Sequence, residues 1–140
     1  MKSIFVIIVL LFITAFFYIN RAVKSFKISL HKVNNIYFNK KHLQGALILK
    51  IENKLLPKFD ITEVNLDLYL NDRFLTKVQN YRILSQGFIE IKINLDLKKI
   101  LTTENIISFL ASKKITIYGN VGVKKEILEA NLSINETVYL

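Results

Sequence analysis

This chain of 140 residues has no cysteine and no tryptophan, a single proline, four glycines and only two histidines. Without cysteine there is no disulfide staple, no thiol nucleophile, no thiolate metal ligand and no cysteine to carry a lipoprotein-type acyl chain. His31 and His42 have no carboxylate at metal-ligand spacing, so each reads as an ordinary surface imidazole. The glycines form no phosphate-cradling loop, and the G-x-S-x-G pattern of a serine hydrolase is missing. Asp60, Glu63 and Asp67 are the densest acids, but a calcium site needs more oxygens on a looping backbone, and they read as a solvated strand face. The expectation is a protein without catalytic residues, metal or cofactor.

What the chain does have is a sixteen-residue run from Ile4 to Ile19, IFVIIVLLFITAFFYI, with no charge, glycine or proline. With Ala22 and Val23 the span approaches the about 20 residues needed to cross a bilayer. A signal peptide and the core helix of a soluble protein are the alternatives, but signal cleavage favours small residues after the apolar core, whereas this run ends in Phe17-Tyr18-Ile19-Asn20-Arg21. The expectation is a retained transmembrane anchor over residues 1–24, with Ile4, Phe5, Val9, Leu11, Phe16, Phe17 and Ile19 among acyl chains. Tyr18, Arg21, Lys24, Lys27 and Lys32 would then lie among anionic headgroups. Residues 25–140 make one domain of ordinary size, of which residues 25–42 are a basic neck and first strand.

Charge is unevenly distributed. From Asn20 to Lys58 nine basic residues face one acid, Glu52, whereas from Phe59 to Leu140 ten bases balance ten acids, within a net charge of +9. A basic collar beside a membrane attracts anionic lipid by about 1 kcal/mol per residue near the surface; solubilising a neck is the plainer use of the same lysines. The positive flank after the helix favours a cytoplasmic domain, although exported domains behind short anchors leave the side open. Tyr37, Phe38, Lys40 and Lys41 are a small basic-aromatic patch, but as part of the neck they make nucleic acid an unlikely partner. Asn131-Leu132-Ser133 and Asn135-Glu136-Thr137 match the glycosylation sequon, which matters only in a eukaryotic secretory setting.

Beyond the neck the pattern alternates with period two, the mark of half-buried strands. Phe26, Ile28 and Leu30 define a first strand; Leu47, Leu49 and Ile51 a second, closed by Asn53 to Lys58 around Pro57. Val64 to Leu70 leads through the turn pair Asn71-Asp72 to a short return over Phe74, Leu75 and Val78, and Ile89 to Leu97 is the longest alternating run. Glu104 to Ser112, behind a Thr102-Thr103 cap, predicts a short crossover helix; strands resume at Ile115 to Val123, with Gly119 as a bulge or close approach, and at Leu132 and Ile134. So many one-sided strands need a second layer, and an antiparallel β-sandwich is the economical all-β answer.

The order of these features resembles the group-2 late-embryogenesis-abundant, or water stress and hypersensitive response, family. The features are an anchor, a strand ending at an Asn near a Pro (Ile51 to Pro57), Ile61 to Leu70 with Asn71-Asp72 and Phe74-Leu75, Gly87 before a long alternating strand, a short helix, and Ile115-Thr116-Ile117-Tyr118-Gly119-Asn120-Val121. The resemblance covers about Phe26 to Val138. It implies an immunoglobulin-like or fibronectin-like sandwich, often membrane-anchored, with no enzymatic activity. Two functions fit: a structural tether or docking subunit of a membrane-associated assembly, such as an envelope complex or a membrane-containing virion, which implies a protein partner; or, as the family suggests, a sandwich binding lipid or another hydrophobic ligand between its sheets.

Overall fold

Sixteen consecutive uncharged residues, all apolar but Thr14 and with no helix breaker, favour a backbone that satisfies its own polar groups, and α1 spans Lys2–Lys24. The hydroxyl of Thr14 donates to the Leu10 carbonyl at 2.8 Å, so the one aliphatic hydroxyl inside the run is also satisfied within the helix. The computed structural model describes residues 2–39, 41–100, 102, 104, 107 and 114–139, with the backbone alone of residues 38 and 100.

After α1 the chain is almost entirely strand: β1 Lys27–Phe38, β2 His42–Glu52, β3 Asp60–Leu70, β4 Arg73–Lys77, β5 Tyr81–Ile83, β6 Phe88–Asp96, a single helical turn α2 at Leu97–Ile100, β7 Lys114–Lys125 and β8 Leu128–Tyr139. They form two antiparallel four-stranded sheets, β1-β2-β6-β5 and β4-β3-β7-β8. The inward residues of both sheets share one core, including Leu47, Leu49 and Ile51 of β2, Leu66 and Leu68 of β3, Ile89 and Ile91 of β6, and Ile117 and Val121 of β7. The expected alternation is thus the alternation of core and solvent, and the sheets pack in a sandwich-like arrangement.

Departures from strict alternation have local causes. The first strand, marked in the sequence by Phe26, Ile28 and Leu30, continues to Phe38 because a bulge between Leu30 and Lys32, and an irregularity between Asn34 and Tyr37 with Asn35 at φ +49°, shift the inward phase to Val33 and then Ile36. The long alternating run stops one residue early: Leu97, expected as its last inward residue, opens α2, whose Lys98 N–H donates to Asp96 Oδ1 at 3.1 Å, and Leu97 is buried there. β8 extends well beyond Leu132 and Ile134, its apolar signal, and pairs with β7 along its whole length. The predicted crossover helix over Glu104 to Ser112 lies largely outside the described residues, although Glu104 and Ile107 are helical.

The register fixes which loops share an end. β1 begins, β2 ends and β3 begins beside the end of α1, because Lys27 pairs with Glu52 and Asp60 with Lys124. Phe88 of β6 pairs with Lys50, and the β7–β8 turn closes at Lys125 and Leu128. The β2–β3 loop, the turn at Ser85–Gly87 and the tip of the β7–β8 hairpin therefore all gather at the helix end. The Asn71-Asp72 turn and α2 lie at the other.

Candidate functional site

The C-terminus of a helix leaves carbonyls without intrahelical partners, and here they are built into the domain. Ala22 is fully buried, the only buried residue of α1, and α1 packs against β8. Asn53, the one buried polar side chain among the described residues, donates from Nδ2 to the Ala22 carbonyl at 2.7 Å. Its Oδ1 accepts from the N–H groups of Leu55 and Leu56 at 2.9 and 3.0 Å, which bends the chain out of β2. Ser25 Oγ donates to the Arg21 carbonyl at 2.7 Å, and the Ser25 N–H to that of Ala22 at 3.2 Å.

Aromatic packing completes the joint. Phe26 meets Phe59 edge to face at 5.2 Å between centroids. Gly87, at φ +80°, lies beneath them; a Cβ there would run into the Ile51 carbonyl and come within 3.1 Å of the Phe59 ring. Two residues separate α1 from β1, and both are held. The helix therefore meets the sheets at a fixed junction rather than through a linker.

The residues expected to face lipid are all solvent-facing in the isolated chain: Ile4, Phe5, Val9, Leu11, Phe16, Phe17 and Ile19, with no part of the apolar window buried against the sheets. This removes the core helix of a soluble protein as an account of the segment. By length and composition α1 can cross a membrane, a test that a signal sequence also passes. Tyr18, Arg21 and Lys24 are exposed in its last two turns, and Lys27 is exposed at the foot of β1. Lys32 is carried away from them: five residues along β1 at about 3.3 Å each place it roughly 16 Å up the sheet.

Tyr37 and Lys41 lie further still, at the end of the sheet opposite the helix, so these members of the small basic-aromatic patch are not beside α1. Lys54 and Lys58, in the β2–β3 loop, return to the helix end. His31 is exposed with its ring 5.1 Å from that of Phe88, and His42 is exposed at the start of β2. Among the described residues no group of three His, Asp or Glu side chains is placed to hold a metal ion. Asp67 pairs with Lys77 at 3.4 Å, and Lys77 also donates to Asn65 at 3.1 Å, which accounts for part of the acidic face of β3.

A second surface was not singled out from sequence. On the outer face of β4-β3-β7-β8, Tyr69 packs edge to face with Phe74 at 5.8 Å and with Tyr118 at 6.5 Å. Phe74 and Tyr118 are each more than half exposed. A groove of about 240 Å³ runs beside them, lined by Tyr69, Asp72, Thr116, Tyr118 and Asn135. Its rim is braced: Lys114 bonds to Asp72 Oδ1 at 2.9 Å, and that hydrogen bond, outweighing the opposing effect of desolvation, raises the Lys114 pKa above its ordinary value. Tyr69 and Tyr118 are far apart in sequence and only strand pairing joins them. The available signal was aromatic residues at the polar positions of alternating strands.

Comparison with protein-family models, with curated proteins and with solved structures finds no match for this chain.

Proposed function

We propose that this protein is a non-enzymatic single-pass membrane protein whose paired sheets act as a tether or docking subunit of a membrane-associated assembly. The observation that carries the reading is the junction: an apolar helix with no face covered by the domain ends in a fully buried Ala22 held by Asn53. A retained anchor joined in this way holds its domain at a set height and attitude above a bilayer. The exposed aromatic cluster of Tyr69, Phe74 and Tyr118 is the surface best suited to a partner, since aromatic side chains bury large area at low entropic cost and recur as interface anchors. It lies nine residues along β3 from the helix end, about 30 Å away, where a partner can reach it without meeting the headgroups.

We further infer an immunoglobulin-type sandwich. Lettering the strands A, B, C, C′, D, E, F and G in chain order gives A-B-E-D facing C′-C-F-G, the ABED and CFG arrangement of that fold with one added edge strand. It is also the type of sandwich that the resemblance to the late-embryogenesis-abundant group implies. The alternative function, a lipid or hydrophobic ligand held between the sheets, has less support. The crevice lined by Leu68, Val78, Ile91 and Ile93 at the open edge offers about 150 Å³, below the roughly 300 Å³ at which ligand sites begin.

The tether reading predicts that the full chain, extracted in mild detergent from its own membrane, carries a stoichiometric partner. Replacing Phe74 and Tyr118 by Ser should release that partner while leaving the far-ultraviolet dichroism unchanged. A wild-type chain that runs alone and monodisperse would count against the proposal.

A further inference from the structure

The loops at the helix end have a composition that folding does not require. The β7–β8 turn is the two-residue pair Glu126-Ile127, where Asn or Gly would be easiest. Glu126 is at φ +54°, an unfavourable setting for glutamate, and Ile127 is 88 % exposed at the tip. Beside it a groove of about 420 Å³ opens between Lys58 and Lys125, floored by Pro57 and Phe59 and with Asp60 as its single carboxylate. Neither Lys58 nor Lys125, nor nearby Lys54, takes part in an ion pair among the described residues, whereas Lys124 pairs with Glu129 at 3.7 Å. Lys54, Lys58 and Lys125 outnumber the nearby carboxylates Asp60 and Glu126, and an exposed apolar tip set among them suits an interface between acyl chains and anionic phosphates.

The height of these loops follows from the junction. The apolar run ends at Ile19, and Ala22, level with Asn53, is three residues further on, about 4.5 Å along the axis. The headgroup layer of one leaflet is about 5–7 Å deep. If Ile19 marks the edge of the acyl core, the loops around Asn53 already stand within the headgroups. We propose that this end of the domain is a second bilayer-contact surface, in which Ile127 enters the acyl boundary and the cleft between Lys58 and Lys125 receives the phosphates of anionic lipids. The proposal rests on the reading of α1 as a retained span. The occupant is the bilayer that α1 enters, by continuity with the helix and by charge.

The absence of tryptophan allows a clean test. Single-tryptophan forms of the full chain, Phe12→Trp, Ile127→Trp and Tyr37→Trp, each change an exposed side chain. Each is reconstituted in vesicles of brominated phosphatidylcholine with phosphatidylserine. The expected result is loss of emission at positions 12 and 127 and none at 37, together with recovery of emission at 127 when Lys58→Glu and Lys125→Glu are added. Loss at 12 without loss at 127 would overturn this inference and leave the anchor standing, as it would if the tip served a protein partner instead. No loss at 12 would remove the anchor and this surface with it. Equal loss at 127 and 37 would mean no preferred attitude and would also overturn it. Unchanged quenching at 127 in the double lysine variant would overturn the role of the cleft.

Discussion

Replacing Asn53 by Ala tests whether the helix is fixed to the sheets or only adjacent to them. The change removes the donor to the Ala22 carbonyl and the acceptor for two N–H groups of the following loop. The carbonyl belongs to a fully buried residue and keeps only the longer bond from the Ser25 N–H at 3.2 Å, so losing its 2.7 Å donor costs about 0.5–1.5 kcal/mol. Leu55 and Leu56 are only half-buried, so water replaces much of what their N–H groups lose, and about 0.5–1 kcal/mol is added. The sum, about 1–2.5 kcal/mol, corresponds to a fall in Tm of roughly 4–10 °C at about 4 °C per kcal/mol for a domain of this size. Asn53→Asp separates the two roles, since a carboxylate still accepts from the loop but cannot donate to the carbonyl, and it places an oxygen where the donor lay 2.7 Å away. The assay is thermal unfolding of the full chain in mild detergent, followed by far-ultraviolet dichroism at the strand wavelengths. The aspartate variant should be at least as unstable as the alanine variant. A Tm within 2 °C of wild type for both would refute the reasoning, because it would mean that the Ser25 N–H or water already suffices for the Ala22 carbonyl.

Gly119→Ala should destabilise by about 2 kcal/mol or more, because φ there is +147° and the new Cβ would strike the Asn65 carbonyl and lie 3.0 Å from Leu66 Cα. Gly122→Ala, which meets Thr62 Oγ1 and the Glu63 side chain rather than backbone, should cost less; equal losses in denaturant unfolding would discount the close approach at Gly119. Ile91→Ala, at a fully buried position of β6, should cost about 2–5 kcal/mol by the same measurement, and a loss below 1 kcal/mol would place the core elsewhere.

The strands legible in the sequence are those whose inward residues all come from one unbroken phase. Ile89, Ile91 and Ile93 are such a set, as are Leu66, Leu68 and Leu70, and every one of them is buried. Where a bulge intervenes the signal changes phase and a window reader stops, as β1 shows at Leu30. β5 left no trace because its three residues are all exposed at a sheet edge and bury nothing that would pattern them. The charge run from Arg21 to Lys58 was legible as a run but not as a place. It crosses two antiparallel strands, so Lys41 ends far from the helix while Lys54 and Lys58 return to it. Asn53 was noted only as a strand terminator, since no local pattern reveals that a side chain will bond to a backbone thirty-one residues earlier.

The same strand geometry separates two tasks that the linear sequence runs together. A domain hung on a flexible neck would expose all of its surfaces to membrane and to partner by turns, and affinity on one face would compete with contact on the other. Here the bonds from Asn53 and Ser25 and the packing of Phe26 on Phe59 remove that freedom at the helix end. Ordering is then complete before any partner arrives, which lowers the entropic cost of docking. With α1 as a span, the proposed bilayer contact would occupy the lysine-rich, isoleucine-tipped end and leave the aromatic face about 30 Å along β3 free. Loosening the junction should therefore weaken partner binding even though Asn53 is remote from Tyr69, Phe74 and Tyr118, and the Asn53→Ala chain provides that comparison.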